Sequence, residues 1–179
     1  MDLLFWEVAR ASGLAAYVAL CIAVLTGLAP RTQALGFLAT NRAVRALHDW
    51  SPWLVIPLVL THVVALVLDA TARIGLLDAV VPFRTSYGQL AIGLGTISFD
   101  ILVVVLVTTW LRRRMTLAAW QLFHRLSYVG FGALFLHAIL SGTDLTSPLI
   151  AGLTWLAAAV VVYYSFERVR RSRPTPSAG

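Results

Sequence analysis

The chain has 179 residues, of which 59% are hydrophobic and 12% charged, with a mean hydropathy of +0.83. This excludes a soluble globular domain; since each bilayer crossing takes roughly 20 apolar residues, no length remains for a separate nucleotide-binding domain. The net charge is +6 and all 14 basic residues are arginines, placed in short loops and at the C-terminus in the positive-inside pattern, so nucleic acid is not a partner.

The expected fold is an all-α integral membrane protein of about five transmembrane helices, formed by residues 1–168. A basic, then Pro/Ser-rich and disordered, cytoplasmic tail follows at 169–179. The first span is expected over Val8–Leu28, closed by Pro30. Asp2 and Glu7 stand against one Arg10 before it, without the basic start of a signal peptide. A retained helix is therefore expected. Cys21, the single cysteine, lies within this span and excludes an intrachain disulfide or covalent heme attachment through C-x-x-C-H. The next loop carries Arg31, Arg42 and Arg45, and GFLATNRAVRAL within it suits a short interfacial helix.

The second span is expected over His48–Leu68, with Pro52 in its first turns and a kink at Pro57. A mixed-charge loop with Asp69, Arg73, Asp78 and Arg84 leads to the third span, Leu90–Leu111, which stops at Arg112-Arg113-Arg114. The fourth span, Leu117–Leu140, follows a short turn and must run antiparallel to the third. The fifth covers Leu149–Phe166. Arginine is concentrated between spans 1 and 2, between spans 3 and 4, and in the tail. This puts the N-terminus outside and the C-terminus in the cytoplasm, in the inner or plasma membrane. Spans 2 and 4 then run parallel, both from inside to outside.

All four histidines lie in these two parallel spans: His48 and His62, 14 residues apart, and His124 and His137, 13 apart. At about 1.5 Å per residue either spacing separates two histidines by roughly 20 Å in depth. Histidine within hydrocarbon needs a partner, a proton path or a metal. Parallel helices pair His48 with His124 on the inner side and His62 with His137 on the outer side. Neutral imidazole is a good iron ligand, and two per iron fill both axial positions, which favours electron transfer over oxygen binding. The expectation is two non-covalent b hemes between helices 2 and 4. Hydrogen-bonded histidines in a plain bundle are the alternative. A zinc site is disfavoured because it gathers about four ligands around one ion. The spacing of 13 misses the same helix face by about 140°. It requires tightening, a bulge or a different ring approach, and Gly130 and Gly132 suit local distortion and close heme packing.

At these residues the chain resembles the ferric reductase-like transmembrane domain family, over approximately Ala11–Leu140. ARASGLAAYVALCIAVLTGL, TSYGQLAIGLGTIS and WQLFHRLSY look closest to the bacterial heme-binding membrane subunit of the methionine-sulfoxide reductase system. The resemblance implies that His48, His62, His124 and His137 ligate two heme b irons. It also implies inward-to-outward electron transfer from a cytoplasmic flavin reductase or flavoprotein, with FMN or FAD on the chain or its partner. The outer acceptor would be a periplasmic reductase, ferric iron or oxygen. The chain departs from the oxidase branch in lacking fused FAD and NADPH domains, and from several relatives in having five spans rather than six. His48 completes a four-histidine pattern expected to be incomplete in some members of the methionine-sulfoxide branch. On this reading the chain is an oxidoreductase membrane subunit rather than a complete enzyme. A quinol-linked cytochrome b subunit of a larger dehydrogenase is the second reading, and a non-redox heme- or metal-binding sensor or transporter the third.

Propionates at the membrane faces need cations. Arg45 and Arg125 suit the inner heme, with Arg42 weaker, and Arg84 or Arg73 the outer one; ordinary positive-inside anchoring is the alternative. Asp100 in the third span is an intramembrane acid of unassigned role: heme tuning, quinol binding, proton relay or a neutral hydrogen-bonded acid. Phe131 and Phe135 lie between the helix 4 histidines, with packing the simpler role. Trp50, Trp53, Trp110, Trp120 and Tyr163 fit interfacial belts. No catalytic residue is assigned, and no hydrolytic motif is present.

Overall fold

The computed structural model describes residues 3–28, 42–142 and 147–171, apart from the side chains of 168, 169 and 171. They form five long helices: α1 (Leu3–Leu28), α2 (Arg42–Leu68), α3 (Gln89–Trp110), α4 (Leu117–Ser141) and α5 (Pro148–Arg171). All five are long and apolar enough to cross a membrane, and no strand occurs among the described residues. In hydrocarbon a helix satisfies its backbone internally. The hydroxyls it carries are accommodated the same way: Thr26, Thr108 and Thr154 each donate to the carbonyl four residues back.

The helix ends follow local chemistry. α2 begins six residues before His48, so Arg42–Leu47 of the expected interfacial helix belongs to α2 itself, while residues 36–41 lie outside the described region. α2 is helical through both Pro52 and Pro57. It stops where the Asp69 carboxylate accepts from the Thr71 amide, the Thr71 hydroxyl and the Ala72 amide, a side-chain-closed turn. α3 passes into a single 3-10 turn, Leu111–Arg114. The Thr116 hydroxyl then accepts from the Ala119 amide at 3.2 Å and caps α4. Pro148 occupies the first position of α5, where its missing N–H costs nothing. α5 continues through Arg171, beyond the expected end at Phe166, so basic residues assigned to the tail are helical. Residues 172–179 lie outside the described region.

Packing is concentrated in two antiparallel hairpins, α1–α2 and α3–α4, joined chiefly through α1. α1 carries the longest run of buried residues, from Ala9 to Leu28. Tyr17 at its middle stacks on Phe131 of α4, with centroids 6.0 Å apart, and its hydroxyl donates to the Thr154 carbonyl of α5 at 3.3 Å. Phe135 turns instead to Trp155 of α5. Of the two aromatics between the α4 histidines, one therefore centres the bundle and the other anchors the fifth helix. α2 and α4 make no comparable backbone contact with each other. The space between them is bridged by side chains, above all by the histidines.

Candidate heme site

The antiparallel hairpins set α2 parallel to α4, and the four histidines meet in two pairs. The His48 and His124 ring centroids lie 6.1 Å apart with planes at 83°; those of His62 and His137 lie 6.4 Å apart with planes at 84°. These separations are too long for the rings to hydrogen-bond face to face. They match a shared metal: two imidazoles bound at about 2 Å from opposite sides of one ion have centroids about 6 Å apart.

Three of the rings are held from behind by backbone. His48 Nδ1 bonds the Ala23 carbonyl at 2.8 Å, His62 Nδ1 the Ala9 carbonyl at 2.7 Å, and His137 Nδ1 the Ala91 carbonyl at 2.7 Å. A carbonyl only accepts, so each Nδ1 carries the proton and donates it. In the neutral ring this leaves the lone pair on Nε2, the tautomer a metal requires. His124 is placed differently. Its ring stacks on Trp120, one helical turn earlier, with centroids 4.8 Å apart and planes at 23°; the Arg112 guanidinium lies over the same indole at 4.3 Å. Trp120 thus packs against the inner pair. Trp50, Trp53, Trp110 and Tyr163 are exposed, as a belt requires.

The spacing of 13 in α4 needs no bulge. The segment is α-helical from Leu117 to Ser141, and the two rings reach their partners by different approaches, one beside Trp120 and one against α3. Neither α4 glycine distorts the helix. Gly130 lets α3 close in, since a Cβ there would lie 2.9 Å from Ile101 Cγ2, and its carbonyl accepts from Ser98; Gly132 faces open space.

A cavity of about 350 Å³ opens at the inner pair, lined by His48, His124 and Phe131 among others. Arg45, Asp49, Gln121 and Arg125 supply polar groups to its wall. The buried Trp120 Nε1 has no hydrogen-bond acceptor among the described residues. A mainly apolar cavity with two arginines in its wall suits a ligand with a large apolar face and an anionic edge. Arg42 is exposed at the start of α2 and does not line this cavity. Arg84 pairs with Asp78 at 3.2 Å in the loop between α2 and α3, and Arg73 sits in the same loop at φ 51°. Asp100 is half-buried and outside the cavity wall. At 100° per residue it projects about 140° away from Gly95, which faces His137. Among the described residues no group of three or more His, Cys, Asp or Glu side chains converges on one point.

The family model described as Domain of unknown function (DUF8596) matches residues 4–144. The chain belongs to that family. The DUF8596 match begins in α1 and ends just after α4, so it takes in both hairpins and all four histidines. No curated protein and no solved structure matches the chain.

The glycines were the signal the sequence reading missed. A Cβ on Gly27 would lie 2.8 Å from His48 Cε1, one on Gly13 2.8 Å from His62 Nδ1, and one on Gly95 2.7 Å from His137 Nδ1. Gly13 and Gly27 are 14 residues apart on α1, the same interval as His48 and His62 on its antiparallel neighbour.

Proposed function

We propose that this DUF8596 protein is a di-heme b-type membrane subunit that carries electrons across the bilayer, and that its family is related to the ferric reductase-like transmembrane domains. The observation that carries the reading is the geometry of the two imidazole pairs, each at the centroid separation of two ligands on one metal. Pairs rather than larger clusters are what a porphyrin needs, since it supplies the four equatorial nitrogens itself. The heme iron, when bound, supplies reversible one-electron chemistry.

The chain's own residues do the rest. His48 and His124 hold the inner group; His62 and His137 hold the outer one. Arg45 and Arg125 stand where propionates of the inner group would be neutralised. Ala9, Ala23 and Ala91 fix the tautomer of three ligands through their carbonyls. The positive-inside bias puts the His48–His124 end at the cytoplasm, where a flavin or flavoprotein would deliver electrons, and the His62–His137 end at the outer face. The acceptor there is an external one: a reductase, ferric iron or oxygen. The quinol-linked reading gains nothing from Asp100, which points away from the paired rings.

Protein purified from heme-replete cells is expected to give a reduced-minus-oxidised b-type spectrum with about two hemes per chain. Heme-free protein from the same cells would overturn the assignment. Reduction by a flavin reductase, and not by quinol, is expected to follow.

A further inference from the structure

The three carbonyls that hold the histidine rings share a local sequence. Ala9 stands four residues before Gly13, Ala23 four before Gly27, and Ala91 four before Gly95. In an α-helix the carbonyl of residue i accepts from the amide of i+4, and the side chain of i+4 normally shields that oxygen from a second donor. Glycine removes the shield. A ring from the neighbouring helix can then reach the carbonyl's second lone pair, and the same missing Cβ provides the room in which the ring lies. Any side chain at Gly13, Gly27 or Gly95 would place its Cβ within 2.8 Å of a ring atom, closer than such contacts allow. On α1 the arrangement repeats more fully, as Ala-x-x-Ser-Gly and Ala-x-x-Thr-Gly, with the Ser12 and Thr26 hydroxyls donating to the carbonyls four residues back, Val8 and Ile22, which leaves the Ala9 and Ala23 oxygens to the rings.

We propose that Gly13, Gly27 and Gly95 are positioning residues, each forming with the carbonyl four residues earlier a socket that fixes one imidazole plane. The sockets on α1 take one ring of each pair, His48 and His62. The α3 socket takes His137, and the Trp120 stack takes His124. The four supports are set so that both pairs have crossed planes, at 83° and 84°. The proposal rests on the di-heme reading. If it holds, ring-plane angle becomes a property the bundle dictates. Crossed axial imidazoles leave two iron d orbitals nearly equal in energy, whereas parallel ones split them, and low-spin ferric iron reports that difference directly in its paramagnetic resonance spectrum.

The test uses the full-length oxidised protein in detergent or nanodiscs, with His124→Ala and His137→Ala assigning the inner and outer signals. Wild type is expected to show two highly anisotropic low-spin signals of the crossed-plane kind. Gly27→Ala should shift or remove only the inner signal and move only the inner midpoint potential. Gly13→Ala and Gly95→Ala should do the same to the outer signal alone. Gly152→Ala is the control, because a Cβ there meets nothing within 4 Å, and it should change neither. Two bound hemes whose signals and potentials ignore Gly13→Ala, Gly27→Ala and Gly95→Ala would overturn the sockets while leaving the di-heme reading intact. Parallel-plane signals in wild type, or the joint loss of both hemes in every socket variant, would also overturn them. A wild-type protein without heme would remove the underlying reading and the sockets with it.

Discussion

The indole of Trp120 lies flat against the imidazole of His124, with ring centroids 4.8 Å apart and planes at 23°, and the Arg112 guanidinium sits 4.3 Å from the same indole. One end of this stack is exposed and cationic, while the other is a ring of the inner pair. An ordered arginine, aromatic and imidazole in contact put a fixed positive charge within reach of the inner site. An arginine over an indole contributes about 0.5–1 kcal/mol where partly exposed.

Arg112→Gln should therefore lower the inner midpoint potential, because the oxidised site no longer faces that charge. The outer potential should stay where it is. Trp120→Leu should produce a larger change, since it frees the His124 ring as well as removing the bridge. Redox titration followed at the b-type band measures both. Equal shifts at both sites in Arg112→Gln would refute the local account.

The two pairs are separate in space, so ligand loss should be separate too. His62→Leu or His137→Leu is expected to leave about one heme per chain, with the inner signal unchanged. His48→Leu or His124→Leu should spare the outer one. A pyridine hemochrome assay on purified protein counts them. Loss of the inner group from a His137 variant would refute the pairing.

Phe131 is 3% exposed, and its stack on Tyr17 joins the two hairpins. Phe131→Ala should destabilise the fold by about 3–5 kcal/mol, the usual cost of deleting a buried aromatic. Phe135→Ala, at the α4–α5 contact, should cost less because Phe135 is only half-buried. Thermal unfolding in detergent, monitored by fluorescence-detected size exclusion, ranks the two. Reversed order would mean that the hairpins are not joined through Tyr17 and Phe131.

Asp69 closes α2 outside the span, and hydrogen bonds from the Thr71 hydroxyl and amide hold its carboxyl below the ordinary carboxylate range. A carboxyl depressed on folding stabilises the protein above its unfolded pKa, about 3.9. That contribution is lost as pH falls through the lower folded value. Wild type should lose melting temperature below about pH 4, and Asp69→Asn should start lower at neutral pH and lose less on acidification. Parallel curves for the two proteins would show that Asp69 does not carry this dependence.

How much of this was legible in the sequence depends on the range of the interaction. Five helices long and apolar enough to cross a membrane, their approximate limits and the antiparallel α3–α4 hairpin follow from runs of apolar residues and the short turn at 114–116, because a long apolar run has few alternatives to a helix. Arginine placement and the intervals of 14 and 13 lead to the same two histidine pairs that the rings form, since both arguments need only the rise of a helix and its direction. The ends were less legible. α2 starts at Arg42 and α5 runs to Arg171, as charged residues extend a helix beyond its apolar core.

What the tertiary structure alone decided is how the rings are held. A glycine carries its information as a missing side chain, and that has meaning only against the residue opposite. Gly13 and Gly27 become sockets when α1 lies antiparallel to α2 in one register. Trp120 becomes part of a site because α4 turns it toward Arg112, and Phe135 leaves the centre because α5 supplies Trp155. The sequence by itself determined which helices exist and which histidines share a depth; contact between helices determined the planes in which those histidines lie, because ring orientation is set by atoms from a different part of the chain.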